Sequence, residues 1–293
     1  MFLACGHNGQ RVISEDGIVW KNHVQGRDGE VYRAAAFGNG RMVGVGTFGG
    51  KNVMASSADG VNWKTSESES KYKFHLAGLS FCNGGFIAFG GDPVTVGVGE
   101  PFVMTSTDGE KWSERIGISG KFILRRLTLG NGLWVGVGDR GRRSTSKDGK
   151  VWLDAEKVKA VDTLVDVAFG NGVFVGVGLH SLRMMSREGV TWENRQIGLE
   201  GEHLNSVMWA EGKFVAIGQG ATYFSPDGVA WERRDNKNAP LTACYAKGSF
   251  VGVHWKGRIL HSTDALTWKE VFKSDQHFEA VAAGVESMKL KAT

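Results

Sequence analysis

Several features that would point to other fold classes are scarce in this chain of 293 residues. It has three cysteines, Cys5, Cys82 and Cys244, and an odd number of thiols argues against a complete disulfide framework. No apolar run approaches the length of about 18 residues that a membrane-spanning helix needs. No segment stands out with the period of an amphipathic helix, and only four prolines accompany 43 glycines. The composition therefore favours strands joined by many tight turns.

What the chain has instead is a seven-residue pattern, SxDGxxW, which is loosely repeated along its whole length. The tryptophans that end the copies are 43, 49, 40, 40, 39 and 37 residues apart. This spacing is typical of one four-stranded blade of a β-propeller, so seven copies predict seven blades. The copies are SEDGIVW, SADGVNW, STDGEKW, SKDGKVW, SREGVTW, SPDGVAW and STDALTW, and they end at Trp20, Trp63, Trp112, Trp152, Trp192, Trp231 and Trp268.

A second recurring unit consists of two short apolar runs joined by a tight turn, as in DVAFGNGVFVGVG. Asn-Gly between apolar runs is the strongest short-range signal for a β-hairpin. We label the strands of a blade A to D outward from the central axis, so this unit is the A–B hairpin and SxDGxxW is the C–D turn. In that turn, Ser and Asp are expected to accept backbone N–H groups, and Trp to anchor strand D.

The two ends of the chain are predicted to meet in one blade. Only six A–B hairpins are complete, because the chain begins with a B-like strand, MFLACG, and the A-like strand FEAVAAG lies at 278–284. The prediction is an all-β, seven-bladed propeller of four-stranded antiparallel blades over residues 1–284, in which the C-terminal strand completes the N-terminal blade. Residues 285–293 are predicted to be a short tail.

The SxDGxxW turns resemble the Asp-box, or BNR, repeats of sialidases, sortilin-type receptors and photosystem II assembly-factor propellers. The resemblance covers the whole chain at the level of repeats, although the usual box has one more residue between Asp and Gly. It implies that the boxes are fold elements away from any active site. The seven-bladed assembly factors imply a scaffold with a basic patch.

The B–C and D–A loops open on the face opposite both repeated motifs, and we call it the top face. The B–C segments hold eight basic and three acidic residues, although the net charge of the whole chain is only +4. This excess predicts a basic top face that binds an anionic ligand. The candidate ligand-binding arginines are Arg33, Arg125, Arg126, Arg142, Arg143, Arg183 and Arg258, and the aromatic candidates are Tyr32 and Trp255.

Histidine recurs at one blade position, the entry to the innermost strand. Three of the seven equivalent positions hold histidine, namely His75, His203 and His277. Because they belong to blades 3, 6 and 1, they are too widely spaced to bind one zinc ion. They are predicted to line a polar ligand pocket, and no metal or other cofactor is predicted.

Two classes of function stay open. The first is a ligand-binding or scaffold propeller that recognises an acidic glycan or an acidic protein segment on its top face. The second is a carbohydrate-active enzyme. The favoured enzyme is a polysaccharide lyase that acts on uronate-containing glycans. The less favoured one is a glycoside hydrolase that uses two of the carboxylates Asp92, Asp139, Asp166 and Glu279. No catalytic residue is assigned. A sialidase is set aside because seven blades and the lack of an Arg-Ile-Pro motif do not fit.

The expected partners and location follow from the same features. Nucleic acid is disfavoured, because aromatic residues are not interleaved with the basic ones. We expect a monomeric chain without a membrane span, either cytoplasmic or exported.

Overall fold

The computed structural model describes residues 1–69, 75–91, 100–156 and 158–284, which form 28 β-strands in seven four-stranded antiparallel sheets. Blade 1 contains β28 (Phe278–Ala283), β1 (Phe2–Gly6), β2 (Arg11–Ser14) and β3 (Trp20–Val24). Blade 2 contains β4 (Val31–Gly38), β5 (Arg41–Phe48), β6 (Lys51–Ser57) and β7 (Lys64–Ser68). Blade 3 contains β8 (His75–Cys82), β9 (Gly85–Gly91), β10 (Phe102–Ser106) and β11 (Ile116–Gly117).

The other four blades follow in chain order, each with its A strand first. Blade 4 contains β12 (Leu124–Gly130), β13 (Leu133–Gly138), β14 (Arg143–Ser146) and β15 (Leu153–Asp154). Blade 5 contains β16 (Leu164–Gly170), β17 (Val173–Gly178), β18 (Arg183–Ser186) and β19 (Glu193–Gln196). Blade 6 contains β20 (Leu204–Ala210), β21 (Lys213–Gly218), β22 (Ala221–Ser225) and β23 (Glu232–Asp235). Blade 7 contains β24 (Thr242–Ala246), β25 (Ser249–His254), β26 (Arg258–Ser262) and β27 (Lys269–Lys273).

The ring is closed by the two ends of the chain, as the sequence predicts. Strand β28 pairs antiparallel with β1, so that Phe2 lies opposite Ala283 and Ala4 opposite Val281. The prediction of seven four-stranded blades with a shared blade 1 is therefore confirmed. The predicted tail, 285–293, lies outside the described residues. No helix in the described part of the chain is long and apolar enough to cross a bilayer.

The hydrophobic core lies between consecutive blades rather than within one blade. Each cluster of buried side chains joins two neighbouring sheets; Val45 and Met54 of blade 2, for example, pack with Leu76 and Phe102 of blade 3. The same arrangement recurs at the other seams of the ring. Burial of apolar area between blades is thus the main stabilising contribution to the ring.

The C–D turns have the hydrogen bonds expected from their sequence. In blade 4, Ser146 Oγ accepts the Gly149 N–H at 2.9 Å, and Trp152 Nε1 donates to the Gly149 oxygen at 3.0 Å. Asp148 Oδ1 accepts the N–H groups two and three residues later, at 2.8 and 2.9 Å, and these bonds hold the pKa of Asp148 below its usual value. Trp152 is buried between blades 3 and 4. The turns are therefore fold elements at the edges of the blade seams.

Candidate ligand site at the channel mouth

A β-bulge near the start of the innermost strand sets the geometry of the channel mouth. In blade 2, Tyr32 lies opposite Gly46 and Ala34 opposite Val45, so Arg33 is the extra residue on strand β4. The pairing shifts at the same place in five other blades. A bulge redirects the extra side chain away from the regular alternation of the strand. The extra residues, which we call the bulge ring, are Arg33, Ala77, Arg125, Val165, Asn205 and Glu279.

A glycine in strand B makes room for each bulge. A Cβ at Gly46 would lie 1.8 Å from the Val31 oxygen, and one at Gly178 would lie 2.0 Å from the Thr163 oxygen. In blade 7 the equivalent residue is His254, and strands β24 and β25 pair without a register shift. Only a residue without Cβ permits this close approach of two backbones. The other four glycines are Gly6, Gly90, Gly138 and Gly218, opposite the oxygens of His277, His75, Ile123 and His203.

Four residues of the bulge ring, Ala77, Arg125, Val165 and Asn205, line a cavity of about 390 Å³, which we call the channel-mouth cavity, whereas Arg33 and Glu279 are not among its lining residues. Its polar lining comes from Arg125, Arg126, Asn205 and Thr242. Its other lining residues are Ala77, Ile123, Val165, Leu241 and Trp255. Apolar residues and a few polar groups that converge from several elements are typical of a ligand site.

Arg125 and Arg126 of blade 4 bring positive charge to this cavity, and Arg33 lies at the equivalent bulge position of blade 2. Arg125 donates to Asp139, and Arg126 Nε lies 3.7 Å from the carboxylate of Asp166. Arg33 is exposed, and no residue in the described ranges forms a hydrogen bond or ion pair with its guanidinium. Arg33 is therefore the arginine most free to meet an anionic ligand.

Asp166 is a carboxylate in the channel wall, beside Arg126. It accepts the N–H of Val167 at 2.9 Å and the N–H of Val207, on the next blade, at 2.8 Å. Burial raises the pKa of Asp166 to about 6, although Arg126 and these two N–H groups oppose the shift. Asp166 thus links blades 4, 5 and 6 around the channel.

Three of the predicted arginines are buried in the blade seams. Arg143 is 4% exposed with its guanidinium 5.6 Å from the Trp192 ring centre, and Arg183 is 5% exposed and 4.2 Å from that of Tyr223. Arg142 is buried with its guanidinium bonded to Ser119 and Phe122 carbonyls, and Asp154 lies beside it. These side chains join neighbouring blades, and a ligand does not reach them in this structure. We leave all three out of the proposed site.

Two other candidates also have structural partners. Tyr32 is fully buried and donates its hydroxyl proton to Glu30 at 2.6 Å, and burial raises its pKa above the usual value. Arg258 pairs with Glu270 at 2.5 Å on the outer strands of blade 7. Neither residue is part of the channel-mouth cavity.

The three histidines at the strand entries have different surroundings. His75 begins β8, and His203 Nδ1 accepts the backbone N–H of His180 at 2.9 Å. His277 stacks on Trp255 with ring centres 4.8 Å apart and an interplanar angle of 12°. Burial, reinforced by His7 and opposed by Glu279, holds the pKa of His277 below its usual value. His277 is therefore mainly neutral at neutral pH and does not add to the positive charge.

Acidic residues in the D–A loops offset the positive charge of the buried arginines. The sequence analysis did not identify these acidic partners. Glu202 accepts the Tyr223 hydroxyl at 2.8 Å below Arg183, and Asp162 lies beside Arg143. The sequence signal for this pattern is an acidic residue just before strand A in three blades, Glu30, Asp162 and Glu202. Because acidic residues of the D–A loops neutralise basic residues of the B–C loops, a count of charged residues in the B–C segments alone overstates the positive charge of the top face.

The cavity residues Asn205, Leu241 and Thr242 were also missed. A sequence signal exists for the bulges themselves, because six of seven strands B carry glycine where the innermost strand enters. Among residues 1–69, 75–91, 100–156 and 158–284, no group of three His, Cys, Asp or Glu side chains is placed to hold a metal ion.

Comparison with known proteins gives structural matches only. No protein-family model and no curated protein matches the chain. The structure of YCF48 bound to a D1 peptide aligns with a TM-score of 0.61 and 16% identity, covering 85% of this chain and 84% of that chain. YCF48 from Cyanidioschyzon merolae aligns with a TM-score of 0.58 and 14% identity, covering 82% and 84%. The chain has the propeller fold of YCF48. At these identities the likeness establishes the fold alone.

Proposed function

We propose that this propeller is a non-catalytic binding protein that holds an acidic segment of a partner protein at its channel mouth. The observation that carries the proposal is the bulge ring, whose extra residues include Arg33 and Arg125 on two of the innermost strands, with Arg125 lining the channel-mouth cavity. Arg33 has no ion-pair partner among the described residues, so it can pair with a carboxylate of the partner without breaking an internal contact.

A protein partner is favoured over a glycan by two observations. One YCF48 structure, which shares this fold, contains a bound D1 peptide. In addition, the apolar residues Ile123, Val165 and Leu241 line the cavity beside its polar groups, so apolar side chains of a peptide can pack there next to its acidic groups.

The side chains that an enzyme would need are already engaged. Asp139 and Asp166 lie in ion pairs with Arg125 and Arg126, Glu279 Oε1 lies 2.7 Å from His7 Nε2, and Asp92 lies outside the described residues. His203 accepts a backbone N–H at Nδ1, so its neutral ring carries the proton on Nε2 and cannot take a proton from a ligand there. These contacts support binding over the lyase or hydrolase alternative.

The test is the affinity of the protein for a capped hexaglutamate peptide, measured by calorimetry at two salt concentrations. Because two exposed ionic contacts contribute up to about 1 kcal/mol each, Arg33→Gln with Arg125→Gln should weaken binding roughly fivefold to tenfold and flatten its salt dependence. The matched control is Arg187→Gln with Arg234→Gln, which removes two exposed charges away from the mouth and should leave specific binding unchanged. Equal losses in the two double variants would refute the proposed site.

A further inference from the structure

Trp255 is an exposed aromatic side chain whose position is fixed by a ring that packs against one of its faces. The residue is 56% exposed to solvent, although one face of the indole is covered by the parallel ring of His277. The His7 ring meets His277 edge-on with centres 5.5 Å apart, and His7 Nε2 lies 2.7 Å from Glu279. A chain of contacts thus connects the indole to the innermost strand of blade 1.

The backbone around Trp255 is held as firmly as the ring. Gly257 has a φ of +67°, and a Cβ there would lie 2.1 Å from the Ser274 oxygen, so the turn packs directly on the loop before His277. Ser274 N–H donates to the Gly257 oxygen at 2.9 Å, and Gln10 Nε2 donates to the His277 oxygen at 3.0 Å. A group held in its binding position loses little conformational entropy when a ligand arrives.

Trp255 also lines the channel-mouth cavity. Leu241 and Thr242 line the cavity on the same blade, and Arg125 and Arg126 line it from blade 4. The cavity therefore has cationic groups from one blade and a flat aromatic surface from another. This combination fits a ligand that carries both a carboxylate and a planar apolar group.

We infer that Trp255 is a stacking platform for an aromatic side chain of the bound segment. This aromatic side chain lies next to the acidic residue whose carboxylate pairs with the arginines. This inference rests on the proposed function and adds a specificity determinant to it. Stacked aromatic pairs have a favourable geometry beyond the area that they bury.

The experiment compares two capped peptides of equal charge, Gly-Glu-Glu-Tyr-Glu-Glu-Gly and the same peptide with Ala for Tyr, by fluorescence anisotropy on the full chain. The wild type should bind the Tyr peptide roughly threefold to tenfold more tightly. In Trp255→Ala this preference should disappear, whereas Trp255→Phe, which keeps a ring, should retain most of it. Because Trp255 is more than half exposed, both variants are expected to fold, and their thermal unfolding midpoints check this.

The outcomes separate this inference from the proposed function. If both peptides bind equally and Arg33→Gln with Arg125→Gln weakens both, the stacking platform is wrong and the acidic-segment site stands. If neither peptide binds, both proposals fail. If a tetragalacturonate binds in a Trp255-dependent manner while the peptides show no preference for Tyr, the platform serves a sugar and the inference is overturned.

Discussion

At the residue scale, Asp166 connects the channel wall to the pH dependence of stability. Its carboxylate faces Arg126 and two backbone N–H groups, yet burial dominates and raises its pKa to about 6. The folded protein therefore holds the proton to a higher pH than the unfolded chain, in which the pKa of aspartate is near its usual value of 3.8. Ionisation of Asp166 accordingly lowers the free energy of unfolding as the pH rises from about 4 through 6.

We predict that Asp166→Asn removes this contribution. Between pH 4 and pH 7 the wild type should lose up to about 3 kcal/mol of unfolding free energy relative to the variant, because one pKa unit corresponds to about 1.4 kcal/mol. Urea unfolding across this pH range measures the difference. Asp235→Asn, which removes a well-exposed carboxylate from an outer strand, is the control. Parallel pH profiles for wild type and Asp166→Asn would contradict the prediction.

Single residues also show where sequence reasoning reaches its limit. Arg143 and Arg183 fall in predicted loops and carry charge, so their sequence context suggests exposure. Their burial depends on Trp192 and Tyr223, which belong to the next blade and are 49 and 40 residues further along the chain. A stack between blades leaves no local pattern, because it depends on how two sheets pack.

At the element scale, the strand B glycines determine the bulges that form the site. The hairpins and the C–D turns were predictable, since their signals lie within a few adjacent residues. The bulges were not, because a bulge is a property of the register between two strands. The recurring glycine is nevertheless present in the sequence of six blades, and blade 7, with His254, has no register shift between β24 and β25.

We predict that Gly178→Ala strains the A–B pairing of blade 5. The new Cβ would lie 2.0 Å from the Thr163 oxygen, so the innermost strand must shift. The expected loss is about 1–3 kcal/mol of unfolding free energy, as for other overpacked sites, and urea unfolding measures it. His254→Ala is the matched control at the equivalent position and should cost less than about 1 kcal/mol. Similar losses in the two variants would mean that the glycine does not set the bulge.

At the scale of the whole molecule, the ring follows from repetition. Seven repeats at a blade-sized spacing and one hairpin divided between the ends are long-range features that a sequence displays directly. The ligand site is different, because the cavity collects between one and three residues from each of five blades, among them Ala77, Val165 and Leu241. The stack of Trp255 on His277 likewise crosses the closing seam of the ring, between blades 7 and 1. Such a site becomes visible only when the blades are arranged around the axis.

The proposed function is the binding of an acidic protein segment at the channel mouth on the top face. A crystal structure of the protein with the capped peptide Gly-Glu-Glu-Tyr-Glu-Glu-Gly tests it most directly. We expect glutamate carboxylates about 3 Å from the guanidinium groups of Arg33 and Arg125, with the peptide extending over the channel-mouth cavity. A peptide bound along an outer strand or on the opposite face, with both arginines uncontacted, would contradict it.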